Sequence, residues 1–241
     1  MKEWMNKNPA LGRIAVGAGL FMLLSLAGYC LPVYLGIYPS STTYYLVSLV
    51  FCLIAFLAVK AVPSAKLPAV SPSMTLVYCL PALALAGLYV AALLMNDNAV
   101  NDLLRNDVLE MLLITVVETL IISFWQEMLS KGLMANGVVE KIGNTATGRI
   151  AAAAAVGLLF AASVLFRPVD PALKTFTVAF FIAAIYLRSG SIVLCIFLSV
   201  LLDVAHVFVP SPSLYPIVNA VELYVLPASA LLICVHNTAK N

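Results

Sequence analysis

The chain has 241 residues, 63% of them hydrophobic and 10% charged, with a formal net charge of +2. A soluble domain averages about a quarter charged residues, so this composition excludes a water-soluble globular protein and points to a membrane. The small positive excess forms no basic stripe, which excludes nucleic acid as a partner.

Windows of about 20 apolar residues predict eight spans. They lie near 13–36, 42–62, 74–95, 108–135, 149–166, 171–187, 190–209 and 214–236. The expected fold is an all-α polytopic membrane bundle forming one domain over residues 1–241. The first run follows Lys2, Lys7 and Arg13 like a signal peptide, but it outruns a signal h-region and shows no small-residue cleavage site. It reads as a retained helix.

Between the second and third spans, the segment from Pro63 to Ser73 is punctuated by proline and serine and reads as a connection. The mixed pattern from Asn96 to Glu110 predicts a short amphipathic helix at the interface. Ala151 to Ala155 give the fifth span a slim face, which predicts a central place in the bundle. A tight turn is expected at Arg167 to Pro171, and Pro210, Pro212 and Pro216 should stiffen the last turn.

Basic residues predict the orientation. With the N-terminus inside, Lys2, Lys7, Arg13, Lys60, Lys66, Lys131, Lys141, Arg149, Arg188 and Lys240 fall on the cytoplasmic side. Arg105, Arg167 and Lys174 fall outside, together with Asp97, Asp102, Asp107 and Asp170. The bias predicts both termini in the cytoplasm. Cys30, Cys52, Cys79, Cys195 and Cys234 all fall in spans, without Cys-x-x-Cys or metal spacing, and read as small packing residues.

The intramembrane polar residues are Glu118, Gln126, Glu127, Lys131, Asp203, His206 and Glu222. Such groups are costly and rarely stand there without a partner or a task. Glu127 and Lys131 are four apart in the favourable order for a helical ion pair, which would brace the fold. Lys131 has the alternative of snorkelling to the surface.

Ser199, Asp203 and His206 share one helix face, which must meet protein or water. At a rise of about 1.5 Å per residue, Asp203 and Glu127 both sit near mid-membrane and would line one cavity. An Asp–His contact between helices is the other reading of that face. Glu118 lies nine residues before Glu127, on a different face. Two histidines, one of them near the C-terminus at His236, do not supply a metal set, and no cofactor is expected.

Three sequence motifs then carry a resemblance. The first is Gln126-Glu127-Met128-Leu129-Ser130-Lys131-Gly132 and the second is Phe160-Ala161-Ala162-Ser163-Val164. The third is Ser199-Val200-Leu201-Leu202-Asp203, preceded by Tyr186-Leu187-Arg188-Ser189-Gly190-Ser191-Ile192. Their order and spacing, within 108–209, resemble the CAAX-protease and bacteriocin-processing (CPBP, or Abi) family of eight-span intramembrane proteases. That family carries Glu-Glu-x-x-x-Arg-Gly, Phe-x-x-x-His and His-x-x-x-Asn/Asp.

The resemblance implies a glutamate and a histidine activating water, with a histidine and an Asn or Asp holding the oxyanion. Here Gln126 stands for the first glutamate, Val164 for the motif-two histidine and Ser199 for the motif-three histidine. Phe160, Asp203 and the Glu127–Lys131 echo of the Glu–Arg pair remain. The expectation is a catalytically degenerate pseudoprotease in a bacterial cytoplasmic membrane. It would act as a partner-binding, adaptor or immunity-type protein for a hydrophobic or lipidated peptide or a membrane protein, among membrane lipids. Two alternatives stay open. One is a divergent active endopeptidase using Glu127, Asp203 and His206. The other is a proton-coupled small-solute transporter using Glu118, Asp203, His206 and Glu222, against which the chain shows no matching interrupted helices in two halves.

Overall fold

A computed structural model describes residues 7–37, 41–62, 71–94, 106–164, 169–207 and 215–236. Among these residues every regular element is helical. Helices α1 (Pro9–Leu35), α2 (Thr42–Ala61) and α3 (Pro72–Leu94) precede a long α4. The α4 helix runs as Asn106–Glu127, widens into a π-helical stretch at Met128–Ala135, and resumes as Asn136–Ile142. Then follow α5 (Ala146–Ser163), α6 (Val169–Ser189) and α7 (Ile192–Val207). The last, α8, spans Tyr215–Ala220, a π turn at Val221–Val225, and Leu226–Val235.

Seven of these helices are long and apolar enough to cross a membrane; α7, at 16 residues, is apolar but shorter. The predicted all-α membrane bundle is what forms. Its outer surface carries large apolar side chains such as Leu23, Leu53, Leu76, Leu113, Leu158, Phe197 and Leu232, each more than half exposed. A soluble protein rarely shows apolar patches on this scale, whereas lipid covers them at no cost.

Local chemistry sets the helix ends. Pro9 opens α1, where a missing N–H costs nothing, and Gly36 closes it in the left-handed region at φ 64°. Ser41 caps α2 by accepting from the Tyr44 N–H at 3.2 Å, and Thr145 caps α5 by accepting from Gly148 at 3.1 Å. Gly190, at φ 66°, stops α6 and lets α7 start two residues later.

The core centres on α6. Every residue from Ala179 to Leu187 is at most 5% exposed, and the helix is packed against α3, α5, α7 and α8. The alanine-rich α5 was expected in this central place. It lies along α6 and also meets α1, α4 and α8, with Ala152 and Ala153 fully buried and Leu158 facing outward. Its small residues permit close approach. At Gly157 a β-carbon would come within 2.9 Å of the Phe176 ring.

The expected turn at Arg167 to Pro171 is shorter than read, because Val169, Asp170 and Pro171 already belong to α6. Proline is tolerated in a first helical turn. Pro216 likewise belongs to α8. Several sequence expectations lie outside the described residues. These are most of the Pro63–Ser73 connection, the Asn96–Arg105 part of the amphipathic segment, Pro210, Pro212, and the charged residues Lys2, Lys66, Asp97, Asp102, Arg105, Arg167 and Lys240.

Candidate functional site

The π-helical stretch of α4 holds the site. A π turn leaves one backbone step out of the regular ladder, and such turns recur at functional positions. Here its residues Leu129 to Ala135 are all buried, including Lys131, which is 0% exposed. Lys131 therefore does not snorkel. Its ammonium lies 2.5 Å from Glu127 Oε2 and 5.0 Å from the centroid of the Phe160 ring, so a carboxylate and an aromatic face hold the cation inside.

The other carboxylate oxygen is also engaged. Ser199 on α7 donates its hydroxyl to Glu127 Oε1 at 2.8 Å. Asp203, one turn further along α7, is exposed, yet lies within electrostatic reach of buried Glu127. Phe160 meets Phe21 of α1 with the rings tilted at 55° and their centroids 4.8 Å apart. Five sequence-predicted positions (Glu127, Lys131, Phe160, Ser199 and Asp203) are brought together.

Gln126 is half-buried, and its carbonyl accepts from Ser130 Oγ at 2.6 Å. Val164 is the residue that ends α5, and it has no polar atom to offer. The backbone of His206 lies in α7, but its side chain is outside the described residues. Beside the Phe160 end, Met22, Leu23, Leu26 and Tyr29 of α1 face Ala162 and Ser163 of α5 across an apolar cleft.

The remaining acids go elsewhere. Glu118 accepts from Tyr45 of α2 at 3.3 Å. Glu222, in the π turn of α8, accepts from Tyr89 of α3 at 2.6 Å and pairs with Lys174 of α6 at 3.0 Å. Lys174 in turn lies over the Tyr215 ring. This second cluster ties three helices together away from the motifs. Tyr89→Phe removes one charge-assisted bond to a buried carboxylate and should cost about 1.5–3 kcal/mol, read as a lower melting temperature in detergent.

Sequence reading missed Asn136, which donates to the Gly132 carbonyl at 3.0 Å and to Tyr186 Oη at 2.9 Å. It thereby ties the end of the π stretch to α6. An asparagine inside an apolar run was the available signal. Among the described residues no three His, Cys, Asp or Glu gather as a metal site.

Chemically, the site holds a neutralised carboxylate, a serine donating to it, and an accessible aspartate. It presents no imidazole among the described side chains, and Gln126 is no base. In comparisons with known proteins, the family described as "Rce1-like: Type II CAAX prenyl endopeptidase Rce1-like" matches residues 108–205, from the start of α4 through most of α7. No curated protein and no solved structure matches the chain. The matched segment holds all three motifs and the cluster they build, so this part of the chain is similar to the type II CAAX prenyl endopeptidase family.

Proposed function

We propose that this integral membrane protein is a catalytically degenerate CAAX-protease-like protein that binds a hydrophobic or lipidated peptide, or a membrane protein, without cleaving it. The observation that carries the reading is the state of Glu127. Both its oxygens are taken, one by Lys131 and one by Ser199, which stands where the family has a histidine. In the family the glutamate works with a histidine to activate water, and an oxyanion needs donors aimed at it. Ser199 spends its proton on Glu127, and Val164 has none. The apolar cleft between α1 and α5 suits a hydrocarbon chain. In this reading the protein sits in a bacterial cytoplasmic membrane with both termini in the cytoplasm, as the basic residues indicate.

The test combines cleavage and capture. Protein in nanodiscs is incubated with a farnesylated peptide carrying a photoreactive group. The expected result is cross-linking to α1 or α5 without turnover, and no turnover gained or lost in Gln126→Glu. Turnover that survives purification and disappears in the doubly substituted Glu127→Gln/Lys131→Met protein would establish an active peptidase instead. Absence of both cross-linking and turnover would remove the peptide-binding reading.

A further inference from the structure

Two arginines lie buried together at the end of the bundle that also holds the first and last described residues. Arg149 is the fourth residue of α5 and Arg188 the penultimate residue of α6. They are 5% and 8% exposed and stand within electrostatic reach of one another. Arg149 donates from Nε to the Cys234 carbonyl of α8 at 2.8 Å, and from Nη1 to the backbone and side-chain oxygens of Asn144, each at 3.2 Å. All its acceptors are neutral. Arg188 is less satisfied: its Nε and Nη2 are buried without a hydrogen-bond partner. The buried Tyr78 hydroxyl of α3, an electrostatic neighbour of Arg149, is also without one. The Tyr78 ring meets the ring of His236 edge-on at 6.0 Å. Among the described residues no carboxylate pairs with either guanidinium.

A purely structural role does not account for this arrangement. Arg188 sits in the last turn of α6, and the C-terminal ends of α6 and α8 each offer about half a negative charge. That offsets part of two full positive charges, but it leaves two guanidinium donors and a phenol unused. A buried donor without a partner costs about 1–3 kcal/mol, more when it is charged. Two like charges in a low-dielectric setting also repel.

We propose that Arg149, Arg188 and Tyr78 form a binding site for a phosphate oxyanion, supplied by the headgroup of a membrane phospholipid. A phosphate offers several acceptor oxygens to a planar guanidinium fork and carries the charge that two arginines lack. The depth fits as well. Arg149 lies about 5 Å inside the start of its helix, at a rise of about 1.5 Å per residue, and Arg188 lies at the very end of its own. Positions this close to the helix ends suit a headgroup better than an acyl chain. The site is separate from the Glu127 cluster and does not depend on the proposed function.

The test uses the whole protein, delipidated in a maltoside detergent that contains no phosphate. Thermal unfolding is followed after adding phosphatidylglycerol, diacylglycerol or inorganic phosphate. Phosphatidylglycerol is expected to raise the melting temperature by several degrees, and diacylglycerol, which has tails but no phosphate, to leave it unchanged. In Arg188→Met the lipid-induced shift should vanish, while the lipid-free protein melts at the same temperature or higher because an unpaired charge is gone. That combination also separates site loss from misfolding. If inorganic phosphate alone reproduces the shift, the oxyanion site stands and its ligand is soluble phosphate. Equal shifts with diacylglycerol, or a phosphatidylglycerol shift that persists in Arg188→Met, would overturn the proposal.

Discussion

Lys131→Met alone is expected to cost about 3–5 kcal/mol of stability, because it strands the Glu127 carboxylate inside the bundle without its cation. Glu127 is 1% exposed, and Lys131 is its only ion-pair partner among the described residues. Glu127→Gln alone should cost a similar amount, since it leaves the ammonium with only the Phe160 ring. The double variant Glu127→Gln/Lys131→Met should recover most of the loss. Glutamine still accepts from Ser199, and methionine fills the lysine's apolar path. Replacing both members of a buried pair is often neutral, whereas removing one is not. Thermal or denaturant unfolding of the four proteins in one detergent gives the coupling energy directly. Single variants that melt with the parent would show that the pair carries no stability. The bracing role assigned to this pair would then fall.

The double variant also separates structure from chemistry. A stable protein lacking both charges should retain partner binding if the site is a remnant, and should lose all turnover if Glu127 is a working base. That is why the cleavage test uses this protein rather than an alanine variant that unfolds.

What could be read from the chain beforehand was what depends on near neighbours. The apolar runs gave eight helices in order, with boundaries close to the observed ones. The Glu127–Lys131 pair followed from its four-residue spacing, and the shared face of Ser199 and Asp203 from theirs. Depth counting gave Glu127 and Asp203 a similar level, and the bond that forms between their helices is from Ser199 to Glu127.

The errors came from long-range contacts and backbone detail. A lysine near the end of a span has two destinations. Burial wins here because the Phe160 ring, on another helix, completes the cation's surroundings. The π stretch has no compositional mark, since it is a change in backbone register. The fifth span's alanines do signal close approach, and it meets α1, α4, α6 and α8, but nothing marked the sixth span as the more enclosed helix. The sixth span is enclosed on several sides, and in a membrane chain an apolar helix facing protein reads much like one facing lipid. Tyr89 and Glu222 are 133 residues apart, beyond any periodicity. Tyr186, the partner of Asn136, is similarly remote in sequence.

Gly17→Val is expected to cost about 3 kcal/mol, the upper end of the usual range for overpacking, because its clashes are with backbone rather than with side chains that can turn away. A β-carbon at position 17 would lie 2.7 Å from the Leu129 carbonyl oxygen and 2.8 Å from the Met134 nitrogen. Both belong to the π stretch. The crossing is reciprocal, since a β-carbon at Gly137 would lie 2.7 Å from the Ala10 carbonyl oxygen of α1. The two helices therefore touch backbone to backbone, as small residues allow in membranes, and the Arg13–Glu140 ion pair closes the end of the contact. Gly19 supplies the control. It faces outward with nothing within 4 Å of its would-be β-carbon, so Gly19→Val should change stability by less than about 0.5 kcal/mol. Melting of the two variants against the parent checks the pair, and equal melting temperatures would refute the close crossing. The consequence reaches the site, because the stretch that α1 clamps is the one that carries Lys131. If α1 is pushed away, the lysine loses its fixed distance to Glu127 and Phe160. Gly17→Val should therefore weaken capture of a prenylated peptide as well as stability, while Gly19→Val should leave both as they are.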